Sequence, residues 1–165
     1  MTTTAELRVL EEGRYVAYGS YSLSESSTSR SPLESFFSLS QTERLLTLEG
    51  SFSSAGGVNK HAFSLELELP QNDVGKGYFI FQCPRVGELK GVLGTTESGL
   101  FILAGRSNQP PMQLSAQLEV HDLHHLSLQG LLAYEDHKWV TWSAAVKTYD
   151  PQLAKSSVMA LPRRA

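Results

Sequence analysis

The chain has 165 residues, a length at which one domain can bury a core of its own. It carries 14 basic and 17 acidic residues, and the net charge of -3 excludes a general electrostatic attraction to nucleic acid or to an anionic membrane. The one cysteine, Cys83, excludes a disulfide within the chain, and no run of about 18 apolar residues predicts a membrane-spanning helix. The first residues lack the basic and apolar regions of a secretory signal, so we expect a cytoplasmic protein.

Three segments at the ends and near the start are not expected to be strands. Residues 1–13 predict a short helix, because Thr3 and Glu6 have the spacing of a capping box and Gly13 can end the helix. The serine-rich residues 24–32 have little to bury, which predicts a mobile loop. Residues 150–165 predict a last helical turn followed by a tail.

Ten short stretches between these segments alternate polar and apolar residues and are separated by turn residues, a pattern typical of strands. The predicted strands are 14–23, 33–40, 44–53, 61–69, 77–83, 87–94, 99–105, 112–121, 125–133 and 138–148. No predicted helix interrupts the series. The sequence therefore predicts one all-β domain over 1–165, an antiparallel up-and-down meander of about ten strands that closes into a barrel. A sandwich and a β-trefoil are the alternatives.

A glycine occurs in phase with the apolar residues of four of these strands. In residues 126–133, for example, Leu126, Leu128, Gly130 and Leu132 share one face. The equivalent glycines elsewhere are Gly19, Gly50 and Gly91. Glycines at such positions are typical of points where a strongly coiled sheet bends, so we expect bends there.

Two strands carry large apolar residues on both faces. Residues 77–83 place Tyr78 and Ile80 opposite Phe79 and Phe81, so we expect a terminal helix, or else a partner, to cover the outer face. Trp139 and Trp142 also fall on opposite faces of one strand. At most one of them can be in the core, and Trp139 is the better candidate for a contact with a lid or partner.

The meander also predicts where a ligand would bind, because it sorts the loops into two ends. The end with the longer loops collects more basic residues, and a barrel of about ten strands can enclose a cavity. An apolar cavity below a cationic mouth suits a small apolar or amphipathic molecule with an anionic group. The residues predicted to bind it are Lys60, His61, Phe63, Arg85, Arg106, His137 and Trp142. Alternatively the core is filled and the domain is a structural or interaction module that recognises a protein partner or forms a homodimer.

At the level of fold alone, such a barrel is similar to fatty-acid-binding and other calycin-like, or lipocalin-like, barrels. This resemblance implies binding of a small molecule without catalysis. No family motif accompanies it, so it predicts neither a cofactor nor particular site residues.

Two polar clusters are candidates for chemistry. His121, His124 and His125 could hold a transition metal, but they fall in a predicted turn without a strong third ligand, so we predict a hairpin and no metal site. Asp136 and His137, with His61 on another loop, could form an acid and base pair. A cofactor-free isomerase- or lyase-like barrel enzyme is therefore a third alternative, although no short motif of a hydrolase or nucleotide-binding enzyme occurs.

Overall fold

The computed structural model describes residues 10–24, 30–54, 59–70, 76–96, 100–108, 110–135 and 137–149. These residues form ten strands and no helix. The strands are β1 (Gly13–Leu23), β2 (Ser31–Gln41), β3 (Leu45–Ser54), β4 (Asn59–Glu68), β5 (Gly77–Cys83), β6 (Gly87–Thr95), β7 (Leu100–Asn108), β8 (Pro111–Val120), β9 (His125–Tyr134) and β10 (Lys138–Thr148). In the part of the chain described, no helix is long and apolar enough to cross a membrane.

Each strand pairs antiparallel with the next in the chain, and β1 pairs with β10 to close the sheet into a barrel. This confirms the predicted up-and-down barrel and excludes the sandwich and the trefoil. The predicted terminal helices fall almost wholly on residues 1–9 and 150–165, which lie outside the described residues. Most of the predicted serine-rich loop, residues 25–29, also lies outside the described residues, whereas Ser31 and Pro32 belong to β2 and pair with β1.

The pairing register places one apolar face of every strand inside the barrel. On β10, for example, Val146 lies opposite Ala17 of β1 and Leu126 of β9, and all three side chains are buried. The outward residues between them, such as Lys147 and Ser143, are exposed. The alternation read from the sequence is therefore the alternation between the interior and the outer wall.

Three of the four in-phase glycines allow a neighbouring backbone to come close. A Cβ at Gly50 would overlap the carbonyl oxygen of Phe36 and the Cα of Phe37, and Gly19 and Gly91 face backbone atoms in the same way. Gly130 differs, because its Cβ would overlap the indole ring of Trp142 instead. The predicted bend points are thus places of close approach, three between strands and one beneath a side chain.

Within the described residues no helix covers the outer face of β5, and the terminal segments expected to cover it lie outside those residues. Tyr78 points outward and is exposed, whereas Phe79 points inward and is buried. Trp139 and Trp142 divide in the same way, since Trp139 is exposed on the outer wall and Trp142 packs against the core. Both strands therefore follow the simple alternation although their outward residues are apolar.

Candidate binding site in the open half of the barrel

One end of the barrel, here called the base, is packed with buried side chains. It is the end at which β1 begins, and Leu10, only 2% exposed, joins its core. The inward side chains of the base are almost completely buried because every strand contributes a large apolar residue to the same layer. They include Tyr15, Leu39, Leu46, Leu67, Phe79, Leu93, Phe101, Leu118, Leu126 and Val146.

The opposite half of the interior is only partly buried. Along β4, the inward series starts at the buried Leu67 and continues through Leu65, Phe63 and His61, which are half-buried. The series on β10 likewise passes from buried Val146 to half-buried Trp142. Since these side chains point inward and still reach solvent, the barrel opens at the end where β1 ends; we call this half of the interior the open half.

The opening does not extend around the whole rim. On the side formed by β5, β6 and β8, the inward residues Cys83, Leu89 and Met112 are buried. On the other side, the inward residues Phe52 and Tyr134 are half-buried. The open half is therefore framed by β9, β10 and β1 to β4, and Cys83 belongs to the packed side.

Aromatic rings form one wall of the open half. Phe63 is at the centre, with its ring centroid 6.3 Å from that of Phe37, 6.1 Å from that of Phe52 and 6.2 Å from that of Phe81. His61 extends the wall toward the rim, with its ring 5.2 Å from Phe52. These spacings are within the range of attractive ring contacts, so the wall is a continuous aromatic surface.

Trp142 provides the wall on the far side. Its indole ring lies over Gly130, where any larger residue would displace it. The half-buried Leu128 and Leu132 are on the same strand as Gly130 and in phase with it. The half-buried side chains of the two walls are therefore mostly apolar, which is the kind of lining that an apolar ligand requires.

The structure divides the seven predicted binding residues into three groups. His61, Phe63 and Trp142 point into the open half. Arg85 and His137 are exposed in the β5–β6 and β9–β10 turns, at the open end. Lys60 and Arg106 lie on the outer wall, because each is one residue out of phase with the inward series. The two cations therefore do not line the interior, and the roles of the other five in binding stay predictions.

Other inward residues of the open half were missed by the sequence reasoning. They have the same phase as residues already recognised: Phe52 is in phase with Leu48, and Phe81 with Phe79. Tyr21 and Tyr134 are also inward and half-buried, and each carries a hydroxyl at the open end. The phase of each strand was sufficient to find them once the open end was known.

Comparison with known proteins supports the fold and no more. No family model and no curated protein matches the sequence. Among solved structures, the S-type phycobiliprotein lyase CPES from Guillardia theta has a similar fold, with a TM-score of 0.70 over 91% of this chain and 94% of the lyase chain. The two sequences are only 10% identical. The likeness therefore shows that the two proteins share a barrel fold.

The predicted histidine cluster is a hairpin turn. Asp122 accepts a hydrogen bond from the backbone N–H of His124 at 2.8 Å, and the Nδ1 of His125 lies 2.9 Å from both its carboxylate oxygens. These two contacts, the backbone one first, lower the pKa of Asp122 below its usual value. His121 contacts Ser127 instead, so the three imidazoles do not converge. Within the described ranges, no group of three potential ligands could hold a metal ion.

The predicted acid and base pair is not assembled in the described residues. His61 lies inside on β4, whereas His137 is exposed in the β9–β10 turn, and no hydrogen bond between them is found in the described part. Asp136 lies outside the described residues. In the same turn Lys138 forms a 2.8 Å ion pair with Glu135, which fits a polar hairpin.

A separate groove of about 360 Å³ crosses the outer wall over β1, β10, β9 and β8. Its lining mixes polar and apolar groups, and part of the polar lining is already paired: Gln129 donates to Gln117 at 2.8 Å, and Arg30, near one edge, donates to Ser20 at 2.7 Å. The hydrogen-bonding groups are therefore partly satisfied within the protein. The aromatic open half remains the stronger candidate for a binding site.

Proposed function

We propose that this protein binds a small apolar or amphipathic molecule in the open half of its barrel. One observation carries the proposal. The aromatic side chains of this half point inward yet remain partly exposed to solvent, whereas the inward side chains of the base are buried. A ligand that covered them would remove apolar surface from water, at about 25 cal/mol per Å². The similar barrel of a phycobiliprotein lyase supports the proposal that a barrel of this fold can hold a small molecule.

An amphipathic ligand fits the distribution of polar groups. Its apolar part would lie between Phe63 and Trp142, and its polar or anionic part would lie at the rim near His61. Arg85 and His137 are exposed in turns at the same end and add positive charge or hydrogen-bond donors there. Lys60 and Arg106 have no part in this proposal, because their side chains lie on the outer wall and point away from the interior.

The two tryptophans allow a direct test with a brominated fatty acid, because bromine quenches tryptophan emission at contact range. We expect dibromostearate to quench the Trp139→Phe protein, which retains the inward Trp142, in a saturable manner. The Trp142→Phe protein retains only Trp139 on the outer wall and should keep its emission. Absence of saturable quenching of Trp142, or equal quenching of both proteins, would exclude binding of this probe inside the barrel.

Two adjacent leucines provide a matched pair of variants for the same titration. Leu132 points into the open half, and Leu131 is 40% exposed on the outer wall. We expect Leu132→Glu to weaken binding of dibromostearate about tenfold or more, since a carboxylate inside would oppose both the apolar tail and the anionic head. Leu131→Glu should bind normally. Circular dichroism melts of both variants would verify folding, and equal binding by the two would contradict the proposed site.

A lyase- or isomerase-like activity is a second candidate function, favoured by the name of the structural neighbour. Native mass spectrometry of the purified protein distinguishes it from simple binding. A compound that is released on denaturation, and whose mass is the same for the parent protein and a His61→Ala variant, supports binding alone. A compound that differs in mass between the two supports chemistry that depends on His61.

A further inference from the structure

The outer wall of β5, β6 and β7 carries an exposed apolar patch. Tyr78, Val92 and Ala104 are direct cross-strand neighbours, and Ile102 lies beside them opposite Gly94. Tyr78 is 55% exposed, Val92 41% and Ile102 39%. Apolar side chains gathered in this way on an outer face are typical of an interaction surface rather than of ordinary solvated wall.

The next row across the same wall arranges charge in a definite order. The pairing register places Glu66 of β4 beside Ile80 of β5, Ile80 beside Lys90 of β6, and Lys90 beside Arg106 of β7. The row therefore runs from acidic through apolar to basic. Neighbouring strands are about 4.8 Å apart, so Glu66 and Arg106 stand about 14 Å from each other, with Ile80 and Lys90 between them.

The two outermost charges of this row are available to a partner. Lys90 is engaged by Glu88 at 3.1 Å. Within the described residues, neither Glu66 nor Arg106 has an ion pair or a side-chain hydrogen bond. Two charges of opposite sign, neither of them paired in the described part of the chain, thus stand at the two ends of the row.

We infer that this wall binds the same wall of a second copy of the chain. A two-fold axis that lies in the plane of contact and runs along the strands between Ile80 and Lys90 reverses the order of the row, so Glu66 of each copy would lie opposite Arg106 of the other. The same rotation would bring the apolar patches around Tyr78 and Val92 together. A row that runs acidic, apolar, basic is complementary to itself under this rotation, which is why the charges favour a second copy over an unrelated partner. The open half of the barrel would stay accessible, so the inference is independent of the proposed ligand.

Charge reversal tests the inference through the mass of the assembly measured by light scattering after gel filtration. We expect the parent protein to be a dimer and both Glu66→Arg and Arg106→Glu to be monomers, because each brings like charges together twice. An equimolar mixture of the two variants should form a heterodimer, since every 66–106 contact then joins opposite signs. The double variant with both changes should again be a homodimer.

Two reversals on other parts of the wall serve as controls. Glu34 on β2 and Lys147 on β10 point outward, away from the patch. Glu34→Arg and Lys147→Glu should remain dimers. A parent protein that is monomeric at every concentration tested, single variants that remain dimeric, or failure of both the mixture and the double variant to restore the dimer would each overturn the inference.

Discussion

Replacement of Phe101 by alanine is expected to lower the free energy of unfolding by about 4 kcal/mol, the range found for buried phenylalanines. Phe101 is completely buried in the base, and its removal would leave a cavity that the surrounding Leu93, Leu103 and Leu118 cannot fill without distorting the barrel. Urea unfolding monitored by circular dichroism would measure the loss, with the slope of the transition expected to stay unchanged.

Phe52→Ala is the matched control, because it removes the same phenyl ring from the open half of the barrel. Its ring contacts Phe63 and His61 but still reaches solvent. We expect Phe52→Ala to cost only about 1 kcal/mol, a typical value for a partly exposed position. Equal losses at the two positions would mean that the open half is packed as tightly as the base, and the proposed binding site would then have to be abandoned.

The second large effect is expected at Gly50. Alanine there would place its methyl group on the carbonyl oxygen of Phe36 and the backbone of Phe37, and a backbone atom cannot rotate away as a side chain can. We expect a loss of about 3 kcal/mol, the upper part of the range for overpacking. For a chain of this size, the melting temperature would fall by about 6–12 °C.

Gly94 provides the control for Gly50. A Cβ at Gly94 would lie 4.0 Å from the carbonyl oxygen of Ile102, its nearest neighbour, and so meet no obstacle. We expect Gly94→Ala to be neutral or to stabilise the protein by up to about 1 kcal/mol, because alanine restricts the unfolded chain. If thermal denaturation gave the two variants the same melting temperature, the close approach of β2 and β3 at Gly50 would not be a constraint on the barrel.

The strands could be predicted from the sequence because a barrel wall has one face buried in the interior and one face exposed to solvent. Every strand then alternates, and residues such as Leu65 and Glu66 reveal the phase directly. The glycines in the same phase marked positions where a neighbouring backbone or side chain comes close. The predicted terminal helices depend on capping and turn residues rather than on such an alternation, and they stay predictions because most of their residues lie outside the described ones.

The open half could not be predicted in the same way. Met112 and Phe52 are both inward apolar residues near one end of the barrel, yet Met112 is buried and Phe52 is partly exposed. The difference depends on how side chains from distant strands fill the cross-section, which no local pattern records. For Arg106, proximity to a loop suggested the rim, but a shift of one residue in phase decides between the interior and the outer wall.

The pairing of β1 with β10 has a consequence for how the protein reaches its native state. This ladder joins the first and last strands, so its contacts, such as Tyr15 with Thr148, span nearly the whole described chain. Closing so large a loop costs chain entropy and slows this last step of folding relative to the pairing of consecutive strands. Until the ladder forms, both strands present unpaired edges that can join those of another molecule. The yield of refolding should therefore fall as the protein concentration rises, even under conditions in which the finished barrel is stable.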